Sequence, residues 1–334
     1  MLGKKYLSEY DLCIDLFNKF DLNVIDVVPV RNVYMASTDK GNKILKKVEY
    51  TIEELKYIDD LLNYIRNKFD RVISFVRNKD GKIYTIWNGD MYCIMDVVQG
   101  SECNFSNPVD ISIAARALGE MHAASEGFKT SLSNKYNNGK LIDDFKRRVQ
   151  EMDFFKSIAM SHERKNEFDE MFLKNEEYYI DEIKNCVSLL EDSCYYKLCS
   201  EEDKVVVCHH DLAHHNILIR NEKAYFIDFD YAIIDLKIHD LCNFISKVIK
   251  NFCFDINKAD TIIENYCITN SLNKRELEVL YAMFTFPEDF YSICKDYYTR
   301  RKDWGEDIFL SRFKKKILYK EDREEFLRNF RKLI

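Results

Sequence analysis

Three side chains in one stretch have the types and order that phosphoryl transfer needs. Between Val205 and Asp240 the chain reads VVVCHHDLAHHNILIRNEKAYFIDFDYAIIDLKIHD, with Asp211 and Asn216 five residues apart and Asp228 in Ile-Asp-Phe-Asp. An acid, an amide and a second acid in that order suit one carboxylate for an acceptor hydroxyl and an oxygen pair for magnesium. A carboxylate at a strand-to-loop corner can take a proton from an attacking hydroxyl, which assigns Asp211 the catalytic role. Magnesium takes oxygen ligands and keeps several waters, so Asn216 and Asp228 with the phosphates of a nucleotide suffice to hold it. Five of the seven histidines also fall between His209 and His239, a polar crowding that packing alone does not require. His209 is expected to brace the loop. The roles of His210, His214 and His215 stay open.

These groups need a partner lobe that presents a nucleotide. Lys46, in Ile44-Leu45-Lys46-Lys47-Val48, lies on a strand where alternation puts it on the face of Ile44. A lysine that steadies phosphates from such a strand normally pairs with an acid on the neighbouring helix, and Glu54 is the expected partner because it borders that helix's apolar stripe. Tyr92 to Val98 reads as the last strand of this lobe, so backbone groups of Asp96 to Val98 are placed to meet an adenine edge. His122 and Asp240 read as framework residues.

The elements that must position these residues change character near residue 100. Before it, β-type runs dominate: Val24 to Val30, Val33 to Ser37, Lys43 to Val48, Val72 to Val76, Ile83 to Trp87 and Tyr92 to Val98. Turn signals at Asp39-Lys40-Gly41, Lys79-Asp80-Gly81 and Asn88-Gly89-Asp90 separate several of them, the last predicting a hairpin. A helix over Thr51 to Lys68 carries the stripe Leu55, Ile58, Leu62, Ile65, and a leading helix near Ser8 to Phe20 carries Leu12, Leu16 and Phe20. Beyond residue 100 the chain is mainly helical apart from the strands of 205–228, which a turn at Asn221-Glu222 folds into a hairpin. A helix over Asp110 to Ser125 is expected to bury Ile111, Ala114, Ala115, Leu118 and Met121 or His122. In 141–190 the expected inward anchors are Phe145, Phe154, Phe155, Phe168 and Phe172. The predicted fold is α+β and two-lobed: a small antiparallel β-sheet lobe over 1–95, a hinge over 96–100, and a large helical lobe over 101–334 that holds the catalytic loop at 205–230.

Composition narrows the partners. The 334 residues are 46% hydrophobic with only 3 prolines and 9 glycines, a globular profile with ample core. A net charge of −7 argues against general nucleic-acid binding, and Lys314-Lys315-Lys316 reads as a solvated helix face. The eleven cysteines are scattered singly with no Cys-x-x-Cys pair, which predicts reduced core residues and no zinc site. The start, MLGKKYLSEYDL, has no apolar core, and no 18-residue apolar run follows, so no membrane partner is expected.

The run His-His-Asp-Leu-Ala-His-His-Asn, then Ile-Asp-Phe-Asp-Tyr, then His-Asp-Leu, resembles the aminoglycoside phosphotransferase and choline kinase superfamily. More narrowly the chain is similar to the CotS family of spore-coat-associated proteins. Ile44 to Val48, Met95-Asp96 with Gly100, Leu118 to His122, and Phe286-Pro287 through Tyr297-Tyr298 to Trp304 extend the likeness over nearly the whole chain. The resemblance implies a protein-kinase-like fold, ATP and Mg2+, a helical insert shaping the acceptor pocket, and a product of the mother-cell cytoplasm that joins the spore coat. Two positions depart from it. His210 stands where the superfamily has the glycine of His-Gly-Asp. The first hairpin reads Pro-Val-Arg-Asn-Val-Tyr with no glycine-rich loop, leaving Arg31 to compensate.

Three functions compete on these residues. The first is an ATP- and magnesium-dependent phosphotransferase acting on a small hydroxylated acceptor or a coat component. The second is a catalytically silent kinase-fold assembly protein of the coat, which the aromatic-rich tail favours and the intact Asp211, Asn216 and Asp228 oppose. The third is a metal-dependent hydrolase using His209, His210, Asp211 and His239, which the β-branched, strand-like run Val205 to Cys208 opposes because such enzymes place their ligands on helices.

Overall fold

The computed structural model describes residues 12, 14–250 and 252–334. A five-stranded antiparallel sheet comes first, from β1 (Val24–Val30), β2 (Val33–Thr38), β3 (Gly41–Val48), β4 (Tyr84–Trp87) and β5 (Asp90–Asp96), in the order β1-β2-β3-β5-β4. Turn chemistry sets its register. Trp87 pairs with Asp90 across Asn88-Gly89, both at positive φ (50° and 87°), the type I′ geometry that matches strand twist.

The sheet is covered on both faces, which is why β5 is buried almost throughout. Tyr92 and Ile94 point to a cluster with Leu12, Leu16, Phe17 and Phe20, while Met91, Cys93 and Met95 join the larger core. The first cluster is capped by α1 (Ile14–Asn18); the remainder of the leading helix expected from Ser8 lies largely outside the described residues. The second is built on α2 (Ile52–Arg66), whose Leu55, Ile58, Leu61, Leu62 and Ile65 are all buried as the stripe predicts. Thr51 and Glu54 form a capping box at its start.

One expected strand is absent. Val72 to Val76 makes only single bridges, Val72 to Phe226 and Phe75 to Met95. The segment crosses obliquely from the hairpin of the helical part to the sheet, bonding Arg71 O to Phe226 N–H (3.0 Å) and Val76 N–H to Ile94 O (2.8 Å). Hydrophobic alternation there satisfies two different neighbours, so no ladder forms.

After β5 the chain enters β6 (Ser101–Glu102) and α3 (Pro108–Ser125), which opens on an Asn107 cap with proline in its first turn. Two long helices follow, α4 (Leu141–Ser161) and α5 (Glu167–Glu191), then the short α6 (Tyr195–Leu198). Phe145, Phe155, Phe168 and Phe172 are buried, but Phe154 is exposed and is not an anchor: it neighbours Phe155 on α4 and is stepped about 100° off the buried row. Four strands return the chain to the site: β7 (Val205–Cys208), β8 (Ile217–Arg220), β9 (Lys223–Phe226) and β10 (Ile233–Leu236). β7 pairs with β10, and β8 pairs with β9 through a turn at Asn221-Glu222 with both φ positive. Helices α7 (Lys237–Ile249), α8 (Ile256–Cys267), α9 (Lys274–Thr285), α10 (Glu288–Tyr298), α11 (Glu306–Leu318) and α12 (Lys320–Phe330) complete the helical part. The architecture is α+β, a small antiparallel sheet followed by a large helical part. The ten described cysteines are free thiols. No helix among the described residues is long and apolar enough to cross a membrane.

Candidate active site

Burial of strand β7 carries a polar loop into the interior, and each backbone donor there must find a partner. Asp240, in the first turn of α7 and fully buried, supplies two. It accepts from the amides of His209 (2.6 Å) and His210 (2.8 Å), while His122 Nε2 lies 3.2 Å from it and His122 Nδ1 meets the Tyr266 hydroxyl at 2.8 Å. Burial alone would raise the Asp240 carboxyl; the hydrogen bonds from His122 and from the His210 amide outweigh it and hold the pKa at about 2. His122, Cys208 and Asp240 form the one His/Cys/carboxylate group with metal-like spacing among the described residues. Their polar atoms are committed to hydrogen bonds, with Cys208 Sγ 3.4 Å from Leu236 O, so the group is framework.

His209 is wholly buried with both ring nitrogens engaged. Nε2 lies 2.8 Å from Ile227 O, and Nδ1 accepts from the Asp211 amide at 3.3 Å. The neutral tautomer protonated on Nε2 satisfies both partners, bracing the loop and leaving no ring nitrogen for a metal. The hydrolase arrangement therefore lacks its first ligand.

The loop brings Asp211, Asn216 and Asp228 together. Asn216 Nδ2 donates to Asp211 Oδ2 and to Asp211 O, each at 3.0 Å, and the Ile227 amide donates to Asn216 O at 3.0 Å, which seats Asp228 beside the amide residue. With its nitrogen held by Asp211, Asn216 presents its carbonyl oxygen in the opposite direction. Asp228 itself has φ of 64°, a left-handed backbone that redirects the chain after β9.

Lys46 reaches this loop from β3. Its ammonium lies 3.0 Å from Asp228 Oδ1 and 2.5 Å from Asp230 Oδ2, and the Tyr50 hydroxyl donates to Asp230 Oδ1 at 3.1 Å. Burial disfavours its charge, but the two carboxylates prevail and raise its pKa. Burial pushes the Asp230 carboxyl up against the pull of Lys46. The expected partner Glu54 is not there. Its carboxylate accepts from the Thr51 amide at 3.2 Å and pairs with Lys135 at 3.1 Å, so the acid serves its own helix start and a tie to the helical part. That corrects the Lys46–Glu54 pairing, and the Thr51-x-x-Glu54 box was the signal against it.

One acid and one cation were not foreseen. Asp230 repeats the acid of Asp228 two residues on, and Lys247 on α7 ion-pairs with Asp211 Oδ1. Burial raises the Asp211 carboxyl, yet Lys247 overrides it and keeps the group below its ordinary value. Asp230 was readable in Ile-Asp-Phe-Asp; nothing local marks Lys247, 36 residues away.

Asp96 ends β5 with its carboxylate on Lys43 (2.6 Å) and Ser74 Oγ (2.9 Å), and its amide donates to Ser74 O at 3.1 Å. Val98 is half-buried against the main core. Arg31, at the tip of the first hairpin, pairs with Glu102 at 2.6 Å.

His210 also has a φ of 64°, which explains why glycine suits this position. Its ring packs edge-on against His239, 5.1 Å between centroids, and His239 Nδ1 lies 2.5 Å from Asp235 Oδ2. Burial, then the His239 charge, lowers the His210 pKa from 6.5 to about 4. A folded pKa below the unfolded one means stability present above pH 6.5 that is lost as pH falls towards 4. Replacing His210 with glycine should therefore flatten the decline in urea stability between pH 6.5 and 4. At pH 8 the relief of left-handed strain and the added chain entropy should leave stability within about 1 kcal/mol of the parent. Equal slopes in the two proteins would refute the assignment.

Known proteins share this architecture. Spore coat protein S of Bacillus subtilis (strain 168) is 22% identical over 302 residues, covering 89% of this chain and 86% of the relative. The aminoglycoside phosphotransferase of Alicyclobacillus acidocaldarius superposes with a TM-score of 0.86 at 18% identity over 96% of each chain. The AMP-bound spectinomycin phosphotransferase APH(9)-Ia follows with a TM-score of 0.67 at 17% identity, over 90% of this chain and 92% of that one. At such identities the structures establish a kinase-like fold. A family model matches residues 14–330, and the chain accordingly belongs to the family described as "Spore coat putative kinase YutH".

Proposed function

We propose that the protein is an ATP- and magnesium-dependent phosphotransferase that acts on an alcohol group and works at the spore coat. The observation that carries this reading is the Asp211–Asn216 pair on one braced loop, with Asp228 following the Ile227 amide that bonds to Asn216 O and Lys46 reaching Asp228 from the sheet. The residues suit the cation. Asn216 offers a carbonyl oxygen, Asp228 a carboxylate, and the Lys46 ammonium already rests between Asp228 and Asp230, so this corner favours positive charge. Magnesium held there by Asn216 and Asp228 would neutralise charge on the phosphates. Lys46, kept protonated by its two acids, would steady the same phosphates.

Asp211 orients the acceptor. The acceptor oxygen bonds to the γ-phosphorus while its proton passes to the Asp211 carboxylate. The bond from that phosphorus to the β,γ-bridging oxygen breaks, and its electron pair leaves with ADP. Because Lys247 keeps Asp211 ionised, the carboxylate acts mainly by holding the hydroxyl in line and takes the proton late. Residues 96–100 serve as the hinge. With the Asp96 amide already given to Ser74, the amides left for adenine in this stretch are those of Val97 and Val98. The shared fold of the AMP-bound spectinomycin phosphotransferase supports a nucleotide in this cleft.

Thermal shift tests the reading directly, since a ligand that binds only the native state stabilises it by mass action. ATP with magnesium should raise Tm, and ATP alone should do so less. Asp228→Asn should remove the magnesium-dependent increment, corresponding to about a tenfold or greater loss of affinity. An unchanged increment in that variant would overturn the metal assignment. No shift with ATP in the parent would favour the assembly-protein reading.

A further inference from the structure

The first hairpin ends on a charged turn. β1 and β2 pair as far as Val30 and Val33, which leaves Arg31 and Asn32 as the two residues of the tip. Tyr34 pairs with Leu45 and β2 runs antiparallel to β3, so the register sets Val33 level with Lys46 and carries the tip beyond it. The tip therefore overhangs the end of the sheet from which Lys46 reaches Asp228. A nucleotide lying between the hinge and the Lys46–Asp228 corner would pass beneath it.

Arg31 crosses from this tip to the helical part. Its guanidinium lies 2.6 Å from Glu102 Oε1, and His214 Nε2 lies 3.5 Å from the other oxygen of the same carboxylate. Glu102 stands on a fixed post. It pairs with Leu218 where β6 meets β8, and the next amide, of Cys103, donates to His214 O (3.2 Å) and Ile217 O (2.8 Å). His214 and Asn216 share one short turn of the loop that carries Asp211. Every link from Arg31 to that loop is thus a direct contact.

The side free to move is the hairpin. β1 is an edge strand, and Val28, Pro29 and Val30 are all exposed, so packing does little to hold its end down. The side chains of Arg31 and Glu102 are 56% and 44% exposed, a setting in which an ion pair contributes little. Such a pair biases the tip towards the floor and still breaks readily.

We infer that Arg31 and Glu102 form a clasp across the mouth of the nucleotide cleft, which opens to admit ATP with magnesium or release ADP and re-forms over the bound nucleotide. The inference rests on the phosphotransferase reading for the identity of the ligand. Because the pair holds the tip down whether the cleft is empty or filled, it sets the rates of entry and exit and leaves affinity nearly unchanged.

Stopped-flow fluorescence with N-methylanthraniloyl-ATP and magnesium tests this in the parent, Arg31→Gln, Glu102→Gln and the charge-swapped Arg31→Glu/Glu102→Arg protein. Each single variant should bind and release the analogue about two- to fivefold faster, the factor an exposed ion pair supplies, with Kd within about twofold of the parent. The charge swap should return both rates towards the parent's. A Kd raised in Arg31→Gln alone would make Arg31 a phosphate ligand and overturn the clasp. Parental rates in both single variants, or no recovery in the swapped protein, would overturn it too. Amide hydrogen exchange of residues 27–35 without nucleotide is the second measurement. It should quicken in both single variants and slow again in the swap, and equal exchange in all four proteins counts against the clasp. No binding of the analogue by the parent would defeat the nucleotide reading instead, while the hydrogen-exchange comparison still decides the contact.

Discussion

Asp240→Ala should destabilise the protein by about 3–5 kcal/mol, the range for removing one member of a buried charge-assisted network. The carboxylate is fully buried and accepts the His209 and His210 amides at 2.6 and 2.8 Å, with His122 at 3.2 Å. Its loss strands the buried His209 amide and the half-buried His210 amide, a stranded buried donor costing about 1–3 kcal/mol. Asp240→Asn keeps one acceptor oxygen and should fall between parent and alanine. The same network has a pH signature. With the carboxyl near 2 in the fold against 3.8 when free, its contribution is complete above about pH 4 and is lost as pH falls through 2. Urea unfolding from pH 7 to 2 checks both points. An alanine variant within about 1 kcal/mol of the parent would show that the loop is held by something else.

The second large effect concerns chemistry rather than folding. Asp211→Asn and Asp211→Ala should lower phosphoryl transfer by about 10²–10⁴-fold while ATP still raises Tm. The split is the point: Asp211 meets the acceptor in this reading, whereas Asp228 and Lys46 meet the nucleotide. Asp211→Ala also frees Lys247 and the Asn216 amide nitrogen. Asp211→Asn keeps a side-chain acceptor for that amide and separates lost charge from lost packing. ATP consumption at the parent's rate in both variants would remove Asp211 from the mechanism.

Much of this was legible because it is encoded locally. Asn88-Gly89 and Asn221-Glu222 sit between short β-type runs, and both form two-residue turns with positive φ. The α2 stripe and the α3 face follow from helical period, so their buried residues match expectation. The order Asp211, Asn216, Asp228 was readable too, since one hairpin is enough to bring its ends together.

Other features were legible in hindsight only. Thr51-x-x-Glu54 already marked Glu54 as a cap, and the function-based expectation for Lys46 outweighed that signal. Phe155 continues the buried row of Phe145 and Met152 along its helix, whereas Phe154 is stepped about 100° off that row and is exposed.

The sequence by itself determined the elements, the turn positions and the chemical types on the loop, because each depends on neighbours a few residues away. Only the tertiary structure decided which charges meet. Lys46 pairs with Asp228 and Asp230 across 182 and 184 residues, and Lys247 with Asp211 across 36. A long cation pairs with the carboxylate that packing delivers to it, and with 57 acidic residues in the chain no local pattern singles that one out.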